Sequence, residues 1–289
     1  MKHIKKLIFF IFSGLIVLTN PLIIPHRGGT AEAPENTIFA LERSSKLNLN
    51  ILEIDVQVTK DKQVVLYHGR NLEDFTDGTG FISDYDLKDI KKLDAAYKFK
   101  KNEEYPYRNK GFTIPTLRET LNKFPKMTFI IDMKSLPTDD LINALINTLK
   151  ENEWKRIIFY STNQEHLDLL NSLAPKAVTF EGRSRTRERL LNIMLDTGSL
   201  KEINSDWIGF DYKRNVTISE SFALGSDGND FVLYPWNEKT VSALKKIKPN
   251  VKIVVFGIEN AEDYNKMKEL DVYAIYTNSP EKLKMELGN

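Results

Sequence analysis

The stretch Ile51-Leu52-Glu53-Ile54-Asp55-Val56 constrains this chain more than any other. Its apolar residues fall on both faces of a strand, so both faces need cover, as in a parallel sheet lined by helices. Glu53 and Asp55 are two apart and therefore point the same way. Two like charges side by side in a covered strand are unfavourable unless a cation joins them. The strand thus requires apolar cover and, on one face, a positive partner.

Similar apolar runs recur along the chain. Strands are expected at Leu22–Pro25, Ile51–Val58, Val64–Tyr67, Phe129–Met133, Ile157–Tyr160, Ala177–Phe180, Trp207–Phe210, Phe231–Tyr234, Val251–Phe256 and Tyr273–Tyr276. Helical patterns lie between them, with start signals such as the capping box at Thr116-Leu117-Arg118-Glu119, a Thr138 cap, and Ser279-Pro280. Alternation of this kind predicts an α/β fold with a parallel sheet. An eight-stranded β/α barrel takes about 250 residues, which suits a chain of 289. An open doubly wound sheet has the same alternation. Ten candidates exceed eight, so in a barrel two would be edge pieces or not strands of the barrel at all. Gly69 to Pro115 is rich in Asp, Lys, Gly and Tyr and breaks the rhythm, which marks an insertion over one end of the sheet, with a short helix near Asp86–Leu93.

Composition removes several function classes. Lys plus Arg total 41 against 40 Asp plus Glu, a net charge of +1, which argues against a nucleic-acid partner. The absence of cysteine excludes disulfides, zinc–thiolate sites and cysteine nucleophiles. No glycine-rich nucleotide cradle follows a strand. At the N-terminus, Lys2, Lys5 and Lys6 precede an apolar run from Leu7 to Leu18, the layout of a secretory signal and shorter than the roughly 20 residues of a spanning helix. The following Val17-Leu18-Thr19-Asn20-Pro21 is a poor cleavage site. Residues 1–20 are therefore expected to be a signal peptide or a retained anchor, with residues 4–20 associating with a membrane in the second case. The protein would be exported, either secreted to the cell envelope or tethered, with the folded domain spanning 21–289.

Several polar residues fall at strand ends. His26 and Arg27 follow the first strand, Glu53 and Asp55 lie in the second, His68 follows Val64–Tyr67, and Asp132 and Lys134 close Phe129–Met133. In a parallel barrel these positions share the C-terminal mouth, where barrel active sites are built. Glu53, Asp55 and Asp132 offer hard oxygen ligands for one divalent cation, Mg²⁺ or Ca²⁺. Arg27 and Lys134 suit phosphate oxygens, and two histidines suit acid–base exchange near neutral pH. The set points to metal-assisted cleavage of a small-molecule phosphodiester. A purely structural role leaves three acids facing two cations, with one negative charge unpaired.

The blocks H-R-G-G-T-A-E-A-P-E-N-T, E-I-D-V-Q-V-T-K-D and V-V-L-Y-H, then I-P-T-L-R-E-T-L and I-I-D-M-K, resemble the glycerophosphodiester phosphodiesterase family in order. The final Ala274-Ile275-Tyr276-Thr277-Asn278-Ser279-Pro280 resembles that family's closing strand and turn. The resemblance implies a TIM (β/α)8 barrel with a small insertion, about 69–115, after the third strand. It also implies hydrolysis of glycerophosphodiesters to glycerol 3-phosphate and an alcohol. It gives His26 and His68 the acid–base roles, Arg27 a phosphate contact, and Glu53 and Asp55 two metal positions. Asp132 stands where the family usually has a glutamate. Three departures are visible: Gly69 follows His68 where the family has aspartate, Asp74-Phe75-Thr76 replaces an arginine-threonine-threonine pattern, and Phe256-Gly257 replaces tryptophan-threonine. Two further readings are a lysophospholipase D or sphingomyelinase D-like enzyme and a catalytically degenerate headgroup-binding protein.

Overall fold

A computed structural model describes residues 19–197, 201–223 and 225–288. The expected signal or anchor lies outside these residues, apart from Thr19 and Asn20. Among the described residues, no helix is long and apolar enough to cross a membrane.

The strands are β1 (Leu22–Pro25), β2 (Ile51–Val58), β3 (Val64–Leu66), β4 (Thr128–Met133), β5 (Ile157–Tyr160), β6 (Val178–Thr179), β7 (Trp207–Asp211), β8 (Arg214–Phe222), β9 (Gly225–Leu233), β10 (Lys252–Phe256) and β11 (Ala274–Thr277). The helices are α1 (Ile38–Ser45), α2 (Leu87–Ile90), α3 (Leu117–Lys123), α4 (Thr138–Thr148), α5 (Gln164–Leu173), α6 (Arg183–Leu195), α7 (Glu238–Ile247), α8 (Ala261–Glu269) and α9 (Pro280–Glu286). Parallel pairing runs β1-β11-β10-β7 on one side and β2-β4-β5-β6 on the other. A parallel bridge between Phe180 and Trp207 joins the two ladders, and β1 lies alongside β2.

The arrangement is a β/α barrel whose hydrogen-bonded ladder is interrupted between β1 and β2. One interior cluster shows this plainly. It takes Ile24, Ile51, Ile130, Ile158, Trp207, Val254 and Ala274 from seven strands, and Phe180 from the end of β6. Side chains alternate along a strand, so the next inward positions toward the mouth are His26, Glu53, Asp132, Tyr160, Phe256 and Tyr276. The site is therefore the layer directly above the apolar plug. Outward residues such as Leu52, Ile54, Val56, Ile131 and Phe159 pack beneath the helices, and the facing half of the shell holds Ile208, Phe210, Ile253, Val255 and Ile275.

Two expected strands fall outside the barrel. Val64–Tyr67 becomes β3, which pairs antiparallel with the top of β2. Phe231–Tyr234 is no core strand: it belongs to the end of an antiparallel hairpin, β8–β9, and Phe231, Val232 and Tyr234 are exposed. The Gly69–Pro115 insertion carries the short helix α2 and its own small core, with Leu72, Ile82, Ile90 and Ile114 packed on Val65 and Tyr67. The Thr116 capping box forms as expected. Thr138 does not cap its helix but is its first residue, after Pro137. The β6 strand is shorter than expected, and what holds its end is ionic. Arg189 of α6 donates to Glu181 at 2.7 Å and to the carbonyl oxygen of Lys201 at 2.6 Å, with both side chains buried. Arg189→Ala is expected to cost about 3–5 kcal/mol by leaving Glu181 buried without its counter-ion, read as a lower urea midpoint. An unchanged midpoint would show the pair to be dispensable.

Candidate active site

The turn after β1 sets the site. Arg27, Gly28 and Gly29 are all left-handed, at φ 53, 83 and 98. Only glycine fits at position 28, where a Cβ would also meet that of Ala40 at 2.8 Å. Arg27 bears the strain of this conformation, and its N–H is thereby aimed at Glu53 Oε2, 2.7 Å away. The rest of the segment serves the same acids. The Asn36 amide donates to Asp55 Oδ2 at 3.1 Å while its oxygen accepts the Asp55 N–H at 3.0 Å. Thr37 caps α1 through the Ala40 N–H.

Glu53, Asp55 and Asp132 converge, each offering one oxygen within 4.8 Å of the others, and all are buried. Parallel register explains the meeting, because Asp55 and Asp132 are direct partners across β2 and β4. Lys134 Nζ lies 3.4 Å from Asp55 Oδ1 and 2.5 Å from Asp132 Oδ2. Burial would raise all three carboxyls. In Asp55, Lys134 and Arg27 outweigh it and hold the group below its ordinary value. In Glu53, burial and the adjacent Asp55 push it well above the carboxylate range. In Asp132, burial wins over Lys134 and pushes it up to about 7. Asp55 Oδ1 and Asp132 Oδ1 are buried without a hydrogen-bond donor. Three hard oxygen donors within 4.8 Å of one another, short of positive charge and with two buried oxygens lacking a hydrogen bond, fit a divalent cation.

The two histidines are held in opposite senses. His26 Nδ1 donates to Asn278 Oδ1 at 2.7 Å, and that oxygen also accepts from the Thr30 hydroxyl at 2.8 Å. The Nε2 lone pair of His26 is therefore available. Asn278 is in turn held by its N–H on Glu259, at 3.0 Å. His68 Nδ1 instead faces Arg27 Nη1 at 2.9 Å. A guanidinium only donates, so neutral His68 carries its proton on Nε2. Burial, with Arg27 nearby, lowers both histidines to about 4.

Arg27 is more engaged than a simple phosphate ligand. Its Nε lies 2.9 Å from Asp55 Oδ2 and its Nη1 lies 3.1 Å from Glu35 Oε2. Glu35 Oε1 is 3.6 Å from His68 Nδ1, and burial pushes this carboxyl up to about 7. The antiparallel turn of β3 makes this contact, since it returns the chain so that Tyr67 donates its N–H to the Asp55 carbonyl and His68 arrives beside the acids. Gly69 has a steric reason. A Cβ there would lie 2.9 Å from Tyr67 Oη and from Asp74 Cβ, while the Gly69 carbonyl accepts from Gln57 at 2.6 Å. A carboxylate is still supplied to His68, but from Glu35. Glu35→Gln is expected to lower kcat about ten- to a hundredfold; a kcat equal to wild type would remove Glu35 from the site.

All seven expected residues meet at the mouth. A cavity of about 640 Å³ opens there, lined by His26, Glu53 and Asp132 together with Arg183, Asp211 and Tyr276 among others. Asp55, His68, Arg27 and Lys134 do not line this cavity; Arg27 and Lys134 pair with the acids, and His68 joins them through Arg27. Glu35, Asn36, Asn278 and Glu259 had no assigned role in the sequence reading. Only the P-E-N-T block gave a signal for the first two. Phe256, at the family's tryptophan position, stacks on Tyr276 with centroids 4.6 Å apart. Tyr276 Oη is buried and without a hydrogen-bond partner.

The profile of the glycerophosphoryl diester phosphodiesterase family matches residues 26–282. An uncharacterized protein of Mycobacterium tuberculosis is 30% identical over 266 residues, covering 90% of this chain and 88% of that protein. A glycerophosphodiester phosphodiesterase of Caldanaerobacter subterraneus is 30% identical over 269 residues, covering 91% and 96%. The crystal structure of the glycerophosphoryl diester phosphodiesterase domain of an uncharacterized M. tuberculosis protein superposes with a TM-score of 0.84 at 28% identity, covering 92% of this chain and 99% of that one. Barrel, mouth cluster and near full-length match agree, and the chain belongs to the glycerophosphoryl diester phosphodiesterase family of phosphoric diester hydrolases.

Proposed function

We propose that the protein hydrolyses glycerophosphodiesters to glycerol 3-phosphate and an alcohol, using one divalent cation, Mg²⁺ or Ca²⁺, held by Glu53, Asp55 and Asp132. The observation that carries this reading is the pairing of that acidic cluster with two histidines whose tautomers are set in opposite senses. When bound, the cation supplies Lewis-acid polarisation of the phosphoryl oxygens.

The protein's own groups do the rest. His26 Nε2 takes the proton from the water whose oxygen bonds phosphorus as the ester bond to the alcohol breaks, since Nδ1 is committed to Asn278. His68 gives a proton to the leaving oxygen. As an acid it must first hold two protons, and Glu35 Oε1 is the carboxylate placed to face the second one on Nδ1. Arrival of the phosphate anion favours that state by drawing the Arg27 guanidinium toward phosphate and off His68. Lys134 balances the acids and offers its charge to the phosphate. Turnover of glycerophosphoglycerol with Mg²⁺ or Ca²⁺, followed as glycerol 3-phosphate release, tests the reading. Hydrolysis of lysophospholipid or sphingomyelin alone would favour the phospholipase reading, and binding without turnover the degenerate one.

Export is part of the same proposal, supported by the lysine-flanked apolar run at residues 2–18. N-terminal sequencing of the mature protein distinguishes a start near residue 20 from a retained anchor, and recovery only from the cytosol would overturn export.

A further inference from the structure

The cavity at the mouth has two unlike walls. One carries His26, Glu53 and Asp132. The other comes from the first residue of α6 and the segment joining β7 to β8, and carries Arg183, Asp211, Lys213 and Arg214. Arg183 is built in: its guanidinium lies over the Phe210 ring at 4.6 Å, and it donates to Tyr160 Oη at 3.1 Å and to Asp211 Oδ2 at 2.6 Å. Arg214 shares that Asp211 oxygen at 3.0 Å. Two guanidinium groups therefore meet one carboxylate, and with Lys213 on the same wall its net charge is positive. The remaining carboxylate of the cavity, Glu259, already accepts from the Asn278 N–H and the Thr277 hydroxyl.

This wall is close to the chemistry. Tyr160 is the register partner of Asp132 across β4 and β5, so Arg183, bonded to Tyr160, stands one strand away from the acidic cluster. A diester whose phosphorus sits over the acids reaches this wall with one of its two ester arms. Guanidinium groups in a partly buried wall match phosphate and carboxylate oxygens and repel a cation. A quaternary ammonium needs open aromatic faces, and here the rings are used on each other: Tyr160 packs edge-on to Phe256 at 5.6 Å, and Phe256 lies on Tyr276.

We propose that Arg183, Lys213 and Arg214 form a subsite for the alcohol half of the diester, and that preferred substrates carry a second negative charge there, as a phosphate or carboxylate. This rests on the glycerophosphodiesterase reading and specifies its substrate class.

The test compares kcat/KM of the full chain, with Mg²⁺ or Ca²⁺, on glycerophosphoglycerol phosphate, glycerophosphoglycerol and glycerophosphocholine. The first two differ only in the extra phosphate. Glycerophosphoglycerol phosphate is expected to exceed glycerophosphoglycerol, whose alcohol arm is uncharged, by about tenfold or more, with the choline diester lowest. In Lys213→Gln/Arg214→Gln, whose side chains lie on the exposed segment entering the hairpin, that ratio is expected to fall toward one, chiefly through KM for the anionic substrate. Arg183→Gln is expected to do the same. Because the readout is a ratio, a general loss of activity does not mimic it. Hydrolysis of glycerophosphoglycerol or glycerophosphocholine with no preference for the extra phosphate, or a ratio unchanged in both variants, overturns this inference alone. No hydrolysis of any of the three overturns the glycerophosphodiesterase reading, and this inference with it.

Discussion

Replacing His26 by alanine is expected to lower kcat by about 10²–10⁴-fold, the range for loss of a positioned general base. The argument rests on the Asn278 contact. Because Asn278 Oδ1 accepts from both His26 Nδ1 and the Thr30 hydroxyl, the proton of the neutral ring is fixed on Nδ1. Nε2 is left as the acceptor toward the cavity. Burial and the neighbouring Arg27 lower the ring to about 4, so the base is neutral and competent from about pH 5 upward. Asn278→Asp separates positioning from simple packing. A carboxylate at the same place stabilises the imidazolium and raises the His26 pKa, so the acidic limb of the pH–rate profile should move to higher pH. If His26→Ala retains more than a third of wild-type kcat, His26 is not the base. If Asn278→Asp leaves the acidic limb in place, the limb belongs to another group.

The residues that made the site legible were those whose chemistry conflicts with their surroundings. Glu53 and Asp55 are acids in a covered strand, and the structure buries both and brings Asp132 to them in register. Their partners were less visible. Asn278 acts on a histidine 252 positions away, and only the pairing of β1 with β11 brings them together. Asn36 and Glu35 serve Asp55 and His68 from the turn before α1, a role that alternation patterns cannot carry. Gly69 looked like a lost carboxylate when judged along the chain alone. In space, Tyr67 and Asp74 fill the position, and Glu35 approaches His68 from another segment. The misread strand at Phe231–Tyr234 has a different cause. Short apolar runs report burial only when something covers them, and the β8–β9 hairpin leaves this one in solvent.

Removal of the divalent cation should have the second large effect, on activity and on stability together. Exhaustive chelation is expected to abolish turnover, with recovery on adding Mg²⁺ or Ca²⁺, because Asp132 Oδ1 is buried without a hydrogen-bond partner and Asp55 Oδ1 has only the Lys134 ammonium, 3.4 Å away. The stability effect should depend on pH in a defined direction. In the cation-free protein, burial raises Asp132 to about 7 and Glu53 well above the carboxylate range. Acids whose folded pKa is raised stabilise the fold fully below their unfolded values near 4. That contribution is lost as pH rises through the folded values, from about 4 to 7 and beyond. A cation must displace these protons, so it binds more weakly at pH 5 than at pH 8. At a hundredfold excess over Kd, binding contributes ~2.7 kcal/mol, a rise in Tm of about 5 °C at ~2 °C per kcal/mol. Scanning calorimetry should show that rise at pH 8 and a smaller one at pH 5. In Asp132→Asn the rise should shrink at both values, with less difference between them, since one of the competing protons is gone. Equal rises at pH 5 and pH 8 in the wild-type chain would mean that the cation binds away from these three carboxylates.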